Sequence, residues 1–398
     1  MELTLRIGIY LGDIKDPESI GDLTFELSFI DELIKQETNH EFVIYYFGKK
    51  AFFNNSKNIK FKCLKYFKKP EISIIPFKIN TYKTPFCPLN HRLKIDKINV
   101  VFFLTPYLHE HIEVPYYTVI RDVAHRILPH FPEFNNTHTF EKIEKRLNVF
   151  LSSASKIITC NNIAKNDIKT LYDVIDENII IQNIPYPNWL TKAKEDNSIL
   201  RNNSLNKNSY IIYPAQYWTH KNHIRLILAS KIMQEQNINL KVVFTGYDRG
   251  NKQYLINEAA KLNLENEIIF LDYVSHDELK ALYKNAYALV YPSLAGPDSV
   301  VALEAMYYNC PVLISNHFGY NEQLKSAALY FNPLDENDIV EKIKMLNDIA
   351  FKDDLISQGN LLIKENTSKN YVDKFLNIMD SFYLTRMCWS LEESYQEK

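Results

Sequence analysis

The chain has 398 residues, of which 46% are hydrophobic and 24% charged, with a formal net charge of -2. That length is too great for one ordinary core and fits two domains of about 150 to 200 residues, with a cleft between them. The near-neutral balance excludes a global pull toward nucleic acid, and five scattered cysteines with no Cys-x-x-Cys pair exclude a disulfide framework and point to a reducing cytoplasm.

In chain order, the sequence enters a strand pattern at once over residues 5–11, unlike the charged-then-apolar layout of a signal peptide. An amphipathic helix over 23–35 and strands over 42–47, 100–104 and 116–120 follow. A long helix over 139–153 then leads into strands over 156–160 and 178–182, which completes a first domain at 1–188. Residues 189–208 are polar, Asn-rich and poorly periodic, the composition of an interdomain linker. The second domain, 209–370, alternates strands over 210–214, 240–245, 268–271, 288–291 and 312–315 with helices, a doubly wound α/β pattern of two Rossmann-like domains in all. A helical tail over 371–398 is expected to pack back on the first domain. No apolar run approaches the roughly 20 residues that span a bilayer.

Ligands of such sheets bind at the carboxyl ends of strands, where helix N-termini present N–H groups and partial positive charge. Two strand-to-helix turns carry suitable residues. In Tyr213-Pro-Ala-Gln-Tyr-Trp-Thr-His-Lys-Asn-His223, Lys221 lies beside the first turn of a helix, so a lysine and an amide-lined helix start can hold a diphosphate; the alternative is a solvated surface lysine. In Tyr291-Pro-Ser-Leu-Ala-Gly-Pro-Asp-Ser-Val-Val-Ala-Leu-Glu-Ala-Met306, Asp298 or Ser299 caps the next helix and leaves the N–H groups of Ser299, Val300 and Val301 for an anion. Glu304, on an otherwise apolar helix, needs a partner: either a pair of ribose hydroxyls or a buried structural contact.

These segments resemble glycosyltransferase family 4, the retaining enzymes of GT-B fold. The resemblance rests on the stretch ending Thr-His-Lys221, on Leu303-Glu-Ala-Met306 followed by Cys310-Pro-Val312, on Phe270-Leu-Asp-Tyr-Val274 and on the Gly319-Tyr-Asn-Glu322 turn. It implies that Lys221 and the helix starting near Ser299 and Val300 bind the donor diphosphate, that Glu304 binds the ribose, and that Tyr273 and Val274 border the base. Arg121-Asp-Val-Ala-His125 resembles the family's His/Asp loop, which implies that His125 and Asp122 face the donor sugar as the catalytic pair. Gly21 stands in the family's double-glycine loop, with Ile20 replacing the first glycine. Two further departures matter: Gly296 replaces the first of two glutamates, with Asp298 placed to take over the sugar contact, and Gln216 replaces an arginine of the phosphate site.

The reaction implied is transfer of a hexose-type sugar, with retention, from a nucleoside-diphosphate sugar to a saccharide or lipid-linked acceptor in surface polysaccharide synthesis. It implies no metal, and no Asp-x-Asp motif is present; His109-Glu-His111 is a weak metal pattern. Residues 57–97 hold ten lysines and Arg92 against Glu71 and Asp96, a net +9, which either docks on an anionic membrane surface or is a solvated basic face. A cytoplasmic protein, peripheral at the inner membrane face, is expected. The same architecture also serves a nucleotide-sugar epimerase or hydrolase, and a non-catalytic sugar-nucleotide-binding protein.

Overall fold

The structure, a computed structural model, describes residues 4–14, 24–48, 58–64, 89–106, 111–135, 137–296, 299–317 and 319–389. Gly21, Asp298, His109 and most of the basic stretch lie outside the described residues. Seven strands form the first sheet: β1 (Arg6–Ile14), β2 (Glu41–Gly48), β3 (Ile59–Leu64), β4 (Val100–Phe103), β5 (Tyr116–Val119), β6 (Lys156–Thr159) and β7 (Ile179–Ile181). Six form the second: β8 (Tyr210–Pro214), β9 (Lys241–Thr245), β10 (Ile268–Leu271), β11 (Ala288–Tyr291), β12 (Val312–Ser315) and β13 (Leu329–Phe331). The orders are β3-β2-β1-β4-β5-β6-β7 and β10-β9-β8-β11-β12-β13, with every pairing parallel.

Strands such as Val100–Phe103 and Ala288–Tyr291 are buried at every position, because helices cover both faces of each sheet. Strand order reverses between β1 and β4 in the first sheet and between β8 and β11 in the second. Each reversal opens a crevice at the carboxyl edge.

Residues 189–208 are not a free connection. They form two short helices, Trp189–Lys192 and Ser198–Asn202, and Leu190, Ile199, Leu200 and Leu205 join the core of the second domain. The few apolar residues among the asparagines find a groove beside the helix His276–Asn285, where Lys194 N–H donates to Asp277 Oδ1 at 2.7 Å and Lys280 Nζ to Ala193 O at 2.8 Å. The segment therefore belongs to the second domain.

The helix Ser368–Arg386 crosses the other way, adding Tyr371, Val372, Phe375, Met379 and Phe382 to the core of the first domain. Phe375 packs 4.6 Å from Phe102 and 5.1 Å from Phe29, ring centre to ring centre. Where the chain passes between domains, Tyr186 N–H donates to Asn366 O at 3.2 Å and Ser368 Oγ to Asn188 Oδ1 at 3.1 Å, so the two crossings brace each other. Phe375→Ala should destabilise the first domain by about 3 to 5 kcal/mol. Hydrogen exchange would show the loss as reduced protection in β1 and β4, and unchanged protection there would disprove the docking. Among the described residues no helix is long and apolar enough to cross a membrane.

Candidate functional site

The crevice of the second domain is built by the turns after β8 and β11. Tyr213, fully buried in β8, donates its hydroxyl to Lys221 O at 2.7 Å, which ties the turn Thr219–Lys221 back to the strand it left. Asn222 takes the left-handed conformation (φ 56°) that lets the chain leave that turn into the helix His223–Glu235. Its Nδ2 donates to Pro292 O at 3.0 Å and Pro333 O at 2.8 Å, fixing this turn against the one after β11. Lys221 is thereby placed half-buried with Nζ 3.1 Å from Tyr291 OH and 3.5 Å from Ser293 Oγ, and 5.5 Å from the centre of the Tyr291 ring. Among the described residues no carboxylate pairs with it, so the ammonium keeps its charge for something else.

The helix Val300–Tyr307 begins at the same carboxyl edge. Ser299 caps it, its Oγ accepting from Ala302 N–H at 3.1 Å. Its own N–H does not face an anion as expected: it donates to Gln323 Oε1 at 3.0 Å, because the buried Gln323 side chain reaches it first. Val300 and Val301, in the first turn, have N–H groups with no intrahelical acceptor. Glu304 is buried on this helix, where desolvation raises its carboxyl to about 7, offset in part by hydrogen bonds from Tyr283 and Trp189. Tyr283 OH donates to Glu304 Oε2 at 2.9 Å. The Trp189 indole in turn stacks on His276 at 4.2 Å, so the segment read as linker supplies part of the wall around Glu304.

The first domain meets this site through Glu133, whose Oε1 accepts from His220 N–H at 2.8 Å and lies 2.5 Å from His220 Nδ1. The His220 ring also stacks on Phe134 at 5.0 Å. Burial, then the charge of Lys221, lower the His220 pKa, against the pull of Glu133 and of Asp122. Burial alone would raise Glu133, but the His220 N–H groups lower it below its ordinary 4.5. Both shifts have one sign: the stability that His220 contributes as a neutral buried ring is complete above its ordinary 6.5 and is lost as pH falls toward about 4, and that of Glu133 is complete above 4.5 and is lost below it. Stability should drop on acidification from pH 7 to 5 by at most about 1.4 kcal/mol per pH unit from this histidine. In His220→Gln the drop should be smaller, as read by melting temperature, and an equal drop in both proteins would show that the clasp does not titrate.

Asp122 Oδ1 accepts from Ala124 N–H at 2.9 Å, opening a short helix, Ala124–Ile127, and its charge reaches His220 across the cleft. His125 is held from within its own domain. Its Nε2 lies 2.9 Å from Glu144 Oε2 and 3.3 Å from Tyr172 OH, and its ring meets Phe140 at 5.7 Å, all within the first domain. The carboxylate of Glu144 on the neighbouring helix captures the imidazole. The histidine that joins the domains is His220. A second bridge forms where Glu322 Oε2 accepts from Asn162 N–H at 2.9 Å and Nδ2 at 2.7 Å.

At the far side of the crevice Tyr273 is exposed and stacks on Tyr247 at 4.8 Å with planes 12° apart, whereas Val274 is buried in the core. Gln216 lies in the Lys221 loop, bonded to Trp218 and Arg249. Glu133, Gln323, Trp189, Tyr247 and Arg249 were not singled out in the sequence, because each is distant in the chain from the residue it serves. Of the basic stretch, Lys62 pairs with the buried Asp96, and Lys94 with Glu113 at 2.9 Å, so part of its charge is used internally. Among the described residues no cluster of three or more His, Cys, Asp or Glu is arranged for a metal ion.

Residues 195–380 match a family described as "Glycosyl transferases group 1". The chain is 30% identical to the O-antigen chain mannosyltransferase RfbU of Salmonella typhimurium over 54% of its own length and 56% of that protein. It is 24% identical to O-antigen chain mannosyltransferase B of Escherichia coli over 62% of its own length and 66% of that protein. The chain thus spans somewhat over half to just under two thirds of these two curated relatives. In fold it is similar to WaaG, a glycosyltransferase involved in lipopolysaccharide biosynthesis (TM-score 0.64, 12% identity, covering 94% of this chain and 99% of that one). Anabaena Alr3699/HepE in complex with UDP is likewise similar (TM-score 0.68, 14% identity, covering 95% and 100%). The two facing parallel-sheet domains are those of the GT-B fold.

Proposed function

We propose that the chain, whose residues 195–380 match the glycosyl transferases group 1 family, transfers a hexose-type sugar from a nucleoside-diphosphate sugar to a saccharide or lipid-linked acceptor during O-antigen-type polysaccharide synthesis, with retention of configuration. The single observation that carries this reading is the half-buried Lys221 ammonium between the turns after β8 and β11, where none of the described residues pairs a carboxylate with it. A fixed cation and an amide-lined helix start are suited to the charge that develops on a departing diphosphate. That arrangement would supply the charge compensation without a metal ion, and turnover is expected to survive EDTA. Glu304, within the same helix, would take the ribose hydroxyls by exchanging its Tyr283 and Trp189 contacts. Tyr273 with Tyr247 offers a flat aromatic face at the base side. Asp122 and Glu133 would present the first domain's carboxylates to the sugar side, and Gly21 and Asp298 remain candidates for the donor phosphate and sugar.

Both relatives named above are mannosyltransferases, which favours mannose as the hexose. The site of action we propose is the cytoplasmic face of the membrane, with residues 57–97 meeting anionic lipid. Flotation with acidic and with neutral liposomes tests that part, and equal flotation would remove it. The main test is release of nucleoside diphosphate from nucleoside-diphosphate mannose with and without a saccharide acceptor. Transfer requires the acceptor. Donor consumption without it would indicate a hydrolase or epimerase, and binding without turnover a sugar-nucleotide-binding protein.

A further inference from the structure

The turns after β8 and β9 are joined to each other as well as to their strands. Tyr217 N–H donates to Tyr247 O at 3.0 Å, and Tyr217 and Asp248 form an isolated parallel bridge. Gly246 permits this approach, since a Cβ there would collide with the Ala215 carbonyl. The joined turns bring Arg249 against the loop that carries Lys221. Its Nε donates to Gln216 Oε1 at 3.0 Å, and the guanidinium carbon lies 5.4 Å from the centre of the Trp218 ring. Trp218 Nε1 donates to that same oxygen at 2.9 Å, and Trp218 O accepts from Lys221 N–H at 3.1 Å.

Exposed arginines are ordinarily solvated and free to rotate. This one is pinned through Nε and its flat face, which leaves its two terminal nitrogens for another partner; among the described residues they have no hydrogen bond or ion pair. A pyrophosphate carries two ionised phosphates and one lysine matches only one of them. The neighbouring cation Lys252 is paired with Asp272 at 2.6 Å, and His220 is held toward its neutral form by burial. A guanidinium fork is the side chain suited to paired phosphate oxygens.

We propose that Arg249 is the second cation of the donor site, binding the pyrophosphate of a nucleoside-diphosphate sugar through its terminal nitrogens, with Gln216 and Trp218 as positioning residues. This rests on the donor-site reading of Lys221. It also assigns a role to Gln216, which cannot itself neutralise phosphate but holds the group that does.

Isothermal titration of the full chain with UDP, GDP and ADP finds the diphosphate that binds, and its nucleoside is then titrated alongside. Arg249→Ala should weaken diphosphate binding about 10- to 100-fold and change nucleoside binding less than about twofold. Arg249→Lys should recover part of the loss, and Arg249→Ala with Gln216→Arg most of it, by returning a guanidinium from the other turn. Equal diphosphate affinity in Arg249→Ala and the parent protein would overturn the proposal while leaving the donor site standing. Absence of diphosphate binding to the parent protein would remove both.

Discussion

Lys221→Ala is expected to lower sugar transfer by about 10²- to 10³-fold without unfolding the protein. On the proposed donor-site reading the loss is large because the ammonium, in a slot shaped by Tyr291 and Ser293, would sit where charge appears as the sugar departs. Folding is spared because the backbone of residue 221, not its side chain, carries the structural bonds: Tyr213 OH to the carbonyl at 2.7 Å, and the N–H to Trp218 O at 3.1 Å. Turnover at saturating donor, with the melting temperature as control, measures this. Activity near the parent level in a folded variant would end the donor-site assignment. Lys221→Arg should recover little, since the fork is too broad for a site built around a point charge.

Glu304→Gln has two expected effects of opposite sense. If Glu304 binds the ribose as proposed, donor affinity should fall about 10- to 100-fold, because an amide would replace a charged acceptor of two hydroxyl hydrogen bonds. Stability should rise at alkaline pH. Burial raises the carboxyl from its ordinary 4.5 to about 7, so the folded state holds a proton that the unfolded chain has released. The carboxyl's contribution is therefore fully present below pH 4.5 and is lost as pH rises through about 7, a change on the order of 3 kcal/mol. Glutamine does not titrate, so urea midpoints of the two proteins should converge near pH 5 and separate by pH 8. Parallel midpoints across that range would show that Glu304 ionises normally. Hydroxyl donors favour the ionised carboxylate, so donor binding by the parent protein should strengthen as pH rises through about 7.

Most strands were legible because a parallel strand covered on both faces must be a short unbroken apolar run. Val100–Phe103, Ala288–Tyr291 and Val312–Ser315 have no other reading. Lys221, Ser299 and Glu304 were legible because they stand beside such strands, at the crevice. The segment 189–208 was misread because its four core residues are diluted by asparagines, and a local window weighs composition rather than the groove that receives them. His125 was singled out by analogy with a motif, whereas its partner Glu144 on the neighbouring helix carried no signal of its own. Glu133 with His220 and Gln216 with Arg249 were invisible for a common reason. Each is a contact between separate turns, and its partners come together only when the sheets assemble.

The helix Ser368–Arg386 closes the core of the first domain although the whole second domain precedes it in the chain. On the ribosome, Phe29 and Phe102 therefore emerge long before Phe375, and the half made first must wait with an uncovered aromatic surface until the half made later is complete. Synthesis order and folding order are thus reversed for this domain, and a nascent chain stalled before residue 368 should be a client of chaperones that bind exposed apolar surface.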